Sequence, residues 1–256
     1  MKFVILGCGS SMGVPRADGF FGNCNPANKK NYRSRCSALI KGDKENILID
    51  TSPDLRQQLI KNKIENISRV LYTHTHADQT HGINDLRIFF IKNKKPIDVY
   101  ADFATSKHLK KTFRYCFYTY SKEYPSILKL NKIKNKMIFK DEKKKIFIKP
   151  IKVKHGNIDS LGYIVNQKLA YISDVSEIYQ KDFIHLKKIN YLIIDCLWYN
   201  YHPSHFNLER CLEIIKTLSP KKAILTNLSP ILDYNELKKK LPKNVMPAFD
   251  GLTINL

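Results

Sequence analysis

The stretch Val70-Leu71-Tyr72-Thr73-His74-Thr75-His76-Ala77-Asp78 decides how the rest of the chain is read. Val70 to Thr73 is a short run of apolar and β-prone residues, the composition of a buried strand. His74 and His76 leave its end two residues apart, and at period two their side chains point the same way. Asp78 takes the next alternate position, where a turn can bring it back toward the imidazoles. Two imidazoles and a carboxylate converging at a strand end suit a borderline-soft divalent cation such as zinc. A lone His-x-His also occurs as a plain polar strand end. Here the added acid, the preceding strand and the following helix favour a metal site.

Working outward, short apolar runs alternate with turns and a few helices. Phe3 to Gly7 reads as a strand entering the Gly7-Cys8-Gly9-Ser10-Ser11 loop, which is built for close backbone approach. Ser37 to Lys41 and Asn46 to Asp50 read as a hairpin across Gly42-Asp43. Ser52 is the expected N-cap of a helix with Pro53 at its first position, running to about Lys61. A second helix is expected from about Asp78, with Ile83, Leu86, Phe89 and Phe90 on one face. In the second half, Ile146 to Val153 is a strand leading to His155-Gly156. Gly162–Val165 and Leu169–Ile172 form a hairpin through Asn166-Gln167 that exits at Ser173-Asp174. Tyr191 to Cys196 is a very apolar strand carrying Asp195, Leu208 to Leu218 a helix, and Ala223 to Thr226 a further strand. Strand ends thus deliver His76, His155, Asp174 and Thr226 in succession, in a strand-rich α/β chain with about 6–8 strands per sheet at most. No linker or low-complexity break appears, so one domain is expected over residues 1–256.

Composition narrows the class. The first residues read as a strand rather than a signal peptide, and no run approaches a membrane span, so a cytoplasmic protein is expected. The six cysteines, among them Cys8, Cys24 and Cys196, form no Cys-x-x-Cys pair and suggest no disulfide framework. A formal charge of +21 invites a nucleic-acid reading. It is not favoured, because lysine rather than arginine supplies most of it, in a chain also rich in Ile and Asn. The dense run from Lys129 to Lys149 reads as a solvated hairpin or loop. The charge is also compatible with a phosphorylated small substrate.

These residues resemble the metallo-β-lactamase superfamily, and the resemblance covers essentially the whole chain. They look most like its branch of phosphoribosyl cyclic phosphate phosphodiesterases. The segments that carry it are Gly7 to Pro15, Arg35-Cys36-Ser37, Ile49-Asp50-Thr51, Thr73 to Asp78, His81 to Arg87 and His202-Pro203-Ser204-His205-Phe206. The resemblance implies a four-layer αββα sandwich and a hydrolase of small, cyclic or other phosphodiesters. It implies that His74, His76 and His155 hold a first ion, zinc or manganese, which Asp174 bridges to a second site that includes Asp78. It sets His205, with His202 as rival, beside the substrate phosphate. In the proposed chemistry Asp78 orients the attacking water or accepts its proton. Asp50 is expected to orient a ligand histidine from behind. His81 is expected to be structural, and His108 and His185 to lie at the surface.

The sequence departs from the family pattern at two positions. The pattern places a histidine where Gln79 stands, and a late histidine where the chain reads Thr226-Asn227-Leu228-Ser229. An amide or hydroxyl oxygen is a poorer zinc ligand than imidazole. One tightly held ion is therefore expected, with a weakened second site. Two rival readings follow: a degenerate member that binds a phosphorylated ligand without efficient turnover, and an RNA 3′-processing nuclease. The aromatic segment Phe103 to Tyr124 is expected to border the pocket, and a homodimer through such a segment is a further expectation.

Overall fold

The computed structural model describes residues 1–256. Strand β1 (Lys2–Gly7) lies antiparallel to β2 (Ser37–Lys41), which turns back into β3 (Asn46–Ile49). Helix α1 (Leu55–Lys61) then leads to β4 (Arg69–Leu71). Next come α2 (Ala77–Thr80), a 3-10 turn at Ile83–Leu86, α3 (Arg87–Asn93) and β5 (Ile97–Ala101). Helices α4 (Phe103–Thr112) and α5 (Arg114–Phe117) lead on to β6 (Leu128–Lys132). Strands β3 to β6 run parallel, as their helical crossovers require.

The second sheet begins with the hairpin of β7 (Met137–Asp141) and β8 (Lys144–His155), extended by β9 (Ile158–Val165) and β10 (Leu169–Ile172). The short β11 (Glu177–Ile178) edges β8. Then α6 (Phe183–Leu186), β12 (Tyr191–Asp195), α7 (Leu208–Leu218), β13 (Lys222–Thr226), α8 (Tyr234–Lys240) and β14 (Val245–Pro247) continue the sheet in parallel from β10. The last strand, β15 (Leu252–Asn255), crosses back to pair with β1. The sheet orders are β15-β1-β2-β3-β4-β5-β6 and β11-β8-β9-β10-β12-β13-β14, with β7 on β8.

Alternation along each strand sorts side chains into three cores. Phe3, Ile5, Ile47 and Ile49 meet Tyr163, Tyr171 and Ile193 between the sheets. The alternate residues Val4, Leu39 and Leu48 pack with Leu55, Phe89 and Leu109 under the helices of the first sheet. Ile172, Leu192 and Ile194 pack with Cys211 and Ile215 of α7 on the far side of the second. Both faces of each sheet are covered, which explains why the strands read as nearly unbroken apolar runs. The layers are helix, sheet, sheet, helix, the αββα sandwich.

Three expectations about elements are corrected. The first helix starts at Leu55 rather than at Pro53, and Ser52 caps only a local turn by accepting from the Asp54 N–H. The Asp54 carboxylate is committed to Arg35, whose backbone N–H, Nε and Nη2 all donate to it. The helix expected from Asp78 is broken into α2, the 3-10 turn and α3. Gly82 marks the break, where a Cβ would sit 2.0 Å from the Ser52 carbonyl oxygen. The apolar face nonetheless holds, with Ile83, Leu86 and Phe89 buried. The Lys129–Lys149 run is not one solvated hairpin: Lys129 to Lys132 lies in β6 of the first sheet, and the hairpin of β7 and β8 begins at Met137. Met137, Phe139, Ile146 and Ile148 are buried in the core between the sheets, and lysines occupy most of the exposed alternate positions. All six cysteines are buried and unpaired.

Candidate metal centre

The C-terminal ends of six strands meet at one rim, where open α/β sheets bind ligands. Asp50 follows β3, His74 and His76 follow β4, His155 ends β8, Asp174 follows β10, Asp195 ends β12 and Asn227 follows β13. Buried hydroxyls fix the loop after β4. Tyr163 donates to the Tyr72 carbonyl at 2.6 Å, and the Tyr72 hydroxyl meets Thr51 Oγ1 at 2.7 Å. Thr51 Oγ1 in turn donates to the Thr80 carbonyl of α2. The loop between strand and helix is therefore tied at both ends.

His74, His76 and His155 form one group of donors, and His155, Asp174 and His205 a second; within each, the donor atoms lie within 4.8 Å of one another. The rings of His74 and His155 are 5.0 Å apart, and those of His155 and His205 4.7 Å.

Hydrogen bonds behind the rings fix their tautomers. The Ser204 carbonyl can only accept, so His155 donates Nδ1–H to it at 2.7 Å and turns the lone pair of Nε2 to the cluster. Gly156 makes this approach possible: its φ is +59°, and a Cβ there would lie 2.5 Å from Ser204 Oγ. Thr73 Oγ1 donates to Asp50 Oδ2 at 2.8 Å, so its lone pair accepts Nδ1–H of His74 at 2.9 Å. The chain Asp50–Thr73–His74 leaves His74 Nε2 as an acceptor. That atom is buried and has no hydrogen-bond partner. An unpartnered buried acceptor costs about 1–3 kcal/mol, and a divalent cation satisfies it. His155 Nε2 also faces His76 Nδ1 at 3.3 Å, a pair of ring nitrogens that needs a proton or a cation between them. The donor set fits a divalent metal.

The charges are set by burial and by each other. Burial drives the His74 imidazole down to about 3, which keeps it neutral and able to ligate. Burial also lowers His155. Burial, with the Asp174 charge behind it, raises Asp78 to about 6. Burial opposes ionisation of Asp174, but the charge on His205 outweighs it and holds the carboxyl below its usual value. Burial raises Asp195 to about 6. Burial works against the charge on His205, yet the Asp195 carboxylate, 2.7 Å from its Nδ1, lifts the imidazole to about 9.

Among the residues singled out in the sequence, His74, His76, His155, Asp174 and His205 come together, and Asp78 and His202 lie outside both donor groups. Asp78 Oδ2 accepts from the Gln79 amide at 3.1 Å. His202 packs its ring 5.1 Å from that of His205 and accepts from the Ser204 N–H. His81 packs edge-on against Phe113, apart from the cluster. His185 is exposed, but His108 is half-buried rather than at the surface, because Phe113 lies beside it. Asp50 acts on His74 as expected, although through Thr73. The roles of Thr73, Ser204, Asp195 and Asn227 were not foreseen; Asp195 at a strand end was the one available signal.

Both departures from the family pattern converge on Asp174. Gln79 Nε2 donates to its Oδ2 at 3.3 Å and Asn227 Nδ2 to its Oδ1 at 3.2 Å. Asn227 also donates to the Ser173 carbonyl. Gln79 and Asn227 thus each set an amide donor on one oxygen of Asp174 and offer no imidazole for a second cation. Of the residues in the late segment, Asn227 reaches Asp174, whereas the buried Ser229 hydroxyl has no partner.

A rim of imidazoles and carboxylates on an αββα sandwich defines a metal-dependent hydrolase. Residues 45–226 match the family model described as a β-lactamase superfamily domain, and the chain belongs to that family. An octanoyltransferase of Porphyromonas gingivalis (strain ATCC BAA-308 / W83) is 31% identical over 259 residues, spanning 98% of this chain and 51% of that protein. The chain thus spans about half the length of this curated relative. Among solved structures, a diphosphatase from the PhnP family is similar at 27% identity and a TM-score of 0.87, covering 100% of this chain and 97% of that one. Zinc-bound PqqB from Methylobacterium extorquens shares the fold at 16% identity and a TM-score of 0.78, with 100% of both chains covered.

Proposed function

We propose that the protein is a metal-dependent phosphodiesterase acting on a small phosphorylated substrate. His74, His76, His155 and Asp174 would hold the ion, zinc or manganese, with one bound tightly. The ion, when bound, supplies Lewis acidity that polarises a phosphoryl oxygen and makes water a better nucleophile. The chain's own groups do the rest. His205, charged and steadied by Asp195, neutralises the phosphoryl group and delivers a proton from Nε2 to the leaving oxygen. Asp78, raised toward neutrality, orients the water or accepts its proton. The neutral ring of His202 supports that of His205 and lines the substrate approach. The observation that carries the phosphodiester reading is a cavity of about 580 Å³ that reaches the charged His205 and is lined also by His202, by Lys154 facing Glu177 at 4.0 Å, and by Arg210 paired with Glu213 at 2.8 Å. A chamber that brings the His205 imidazolium and these basic side chains beside a cluster of metal donors suits a phosphorylated substrate. The likeness to the PhnP-family diphosphatase supports the same substrate class. One domain over residues 1–256 is part of this reading.

Elemental analysis after dialysis, with hydrolysis of bis(p-nitrophenyl) phosphate, tests the proposal. About one ion per chain and a metal-dependent rate are expected. His74→Ala and His155→Ala should each abolish tight binding and turnover. Two tight ions would show that Gln79 and Asn227 do not block the second site. A second reading, acyl ester or thioester hydrolysis, is favoured by the relative named octanoyltransferase, and p-nitrophenyl octanoate in the same assay separates the two.

A further inference from the structure

A second cavity, of about 610 Å³, reaches the cluster at His74 and Thr75, and its lining is of another kind. Its apolar side includes Phe103, Ile158 and Leu161, and Lys134 and Asn135 stand among its polar residues. Phe103 is the first residue of α4, yet it is 85% exposed. The Asp102 side chain accepts from the Thr105 N–H at 2.8 Å, so the backbone that carries Phe103 is capped and fixed. Lys152, also on the wall, is tied to Asp159 at 2.8 Å, whereas Lys134 has no ion-pair partner. The chamber therefore offers a bare aromatic ring on a rigid helix start, an apolar wall, a free cation and an amide.

That combination selects among ligand chemistries. An acyl chain gains most from an enclosed, wholly apolar channel, and the lysine and amide disfavour one here. A second phosphate would leave the apolar wall and the Phe103 ring uncovered. A flat ring with polar edges uses all four groups, with one face on the aromatic side chain and its edge toward Asn135 and Lys134. We infer that this cavity is the subsite for the organic group of the substrate, a nucleobase-like ring lying against Phe103, while the phosphoryl group sits on the His205 side. This rests on the phosphodiester reading and narrows it to ring-bearing phosphate esters, with Phe103 a specificity-determining residue.

Titration calorimetry on the metal-loaded protein tests it, with adenosine 5′-monophosphate and inorganic phosphate as probes. The nucleotide should bind the parent at least about tenfold more tightly than phosphate. Phe103→Ala should lower nucleotide affinity by about tenfold, the effect of removing an aromatic face from one base, and leave phosphate affinity unchanged. Phe103→Tyr should retain nucleotide binding. Because the ring is exposed, the alanine variant should keep the parent's unfolding midpoint. No preference for the nucleotide over phosphate, or an equal loss of both in Phe103→Ala, would overturn the inference. Ring-selective binding without diester hydrolysis would refute the proposed function and leave the subsite standing. Diester hydrolysis without ring selectivity would do the reverse.

Discussion

Thr73 makes two hydrogen bonds that decide what His74 can do. Its hydroxyl donates to Asp50 and accepts from His74 Nδ1, so the Nε2 lone pair faces the cluster. Groups behind a ligand typically change metal affinity by about 10–100-fold. Thr73→Val should therefore weaken metal binding by that factor while His74 itself is unchanged, as read by competition with a chromophoric chelator. Unchanged affinity would mean that the relay does not set the tautomer. The two amides on Asp174 lead to a second expectation. Replacing both, as Gln79→His with Asn227→His, should let the protein bind a second ion and hydrolyse bis(p-nitrophenyl) phosphate faster than the parent or either single variant. One ion and no gain in rate would sink the idea that these amides stand where a cation belongs. His74 and His76 were legible in the sequence because period two is a local rule. The Asp195–His205 pair and the place of Asn227 were not. They depend on the parallel register that sets Asp195 opposite Thr226, which no local pattern states.

At the next scale, the turn between β9 and β10 was readable and its backbone can be improved. Asn166 and Gln167 have φ of +50° and +56°, and Lys168 N–H bonds to the Val165 carbonyl at 2.9 Å. That is a type I′ turn, which asks for positive φ at both central residues and prefers Asn-Gly. Glutamine pays a steric penalty in the left-handed region that glycine avoids. Gln167→Gly should stabilise the fold by about 0.5–1 kcal/mol, raising the unfolding midpoint by about 1–3 °C. A lower midpoint would show that the side chain contributes more than the strain it causes. The helix after His76 marks the limit of such local reading. Its apolar period continues from Ile83 to Phe90, and the contact that breaks it, Gly82 on the Ser52 carbonyl, is tertiary.

Across the whole molecule, the core between the sheets joins residues from Phe3 to Ile254, and β15 closes the first sheet against β1. Neither half can expose that core without the other losing its cover. One cooperative unfolding transition is therefore expected, with calorimetric and van't Hoff enthalpies equal; two resolved transitions would contradict a single domain. A strand-rich α/β chain was legible from the order of its elements and the sandwich was what the family resemblance implied, whereas the return of β15 to β1 was not legible, since nothing between them in sequence announces it. No helix is long and apolar enough to cross a membrane. The central claim is that this rim hydrolyses phosphodiesters through a bound metal. It is tested most directly by the rate of bis(p-nitrophenyl) phosphate hydrolysis before chelation, after it, and after zinc or manganese is returned. Turnover should disappear on chelation and recover with the metal. A rate indifferent to chelation, or no hydrolysis by the fully loaded protein, would contradict the claim.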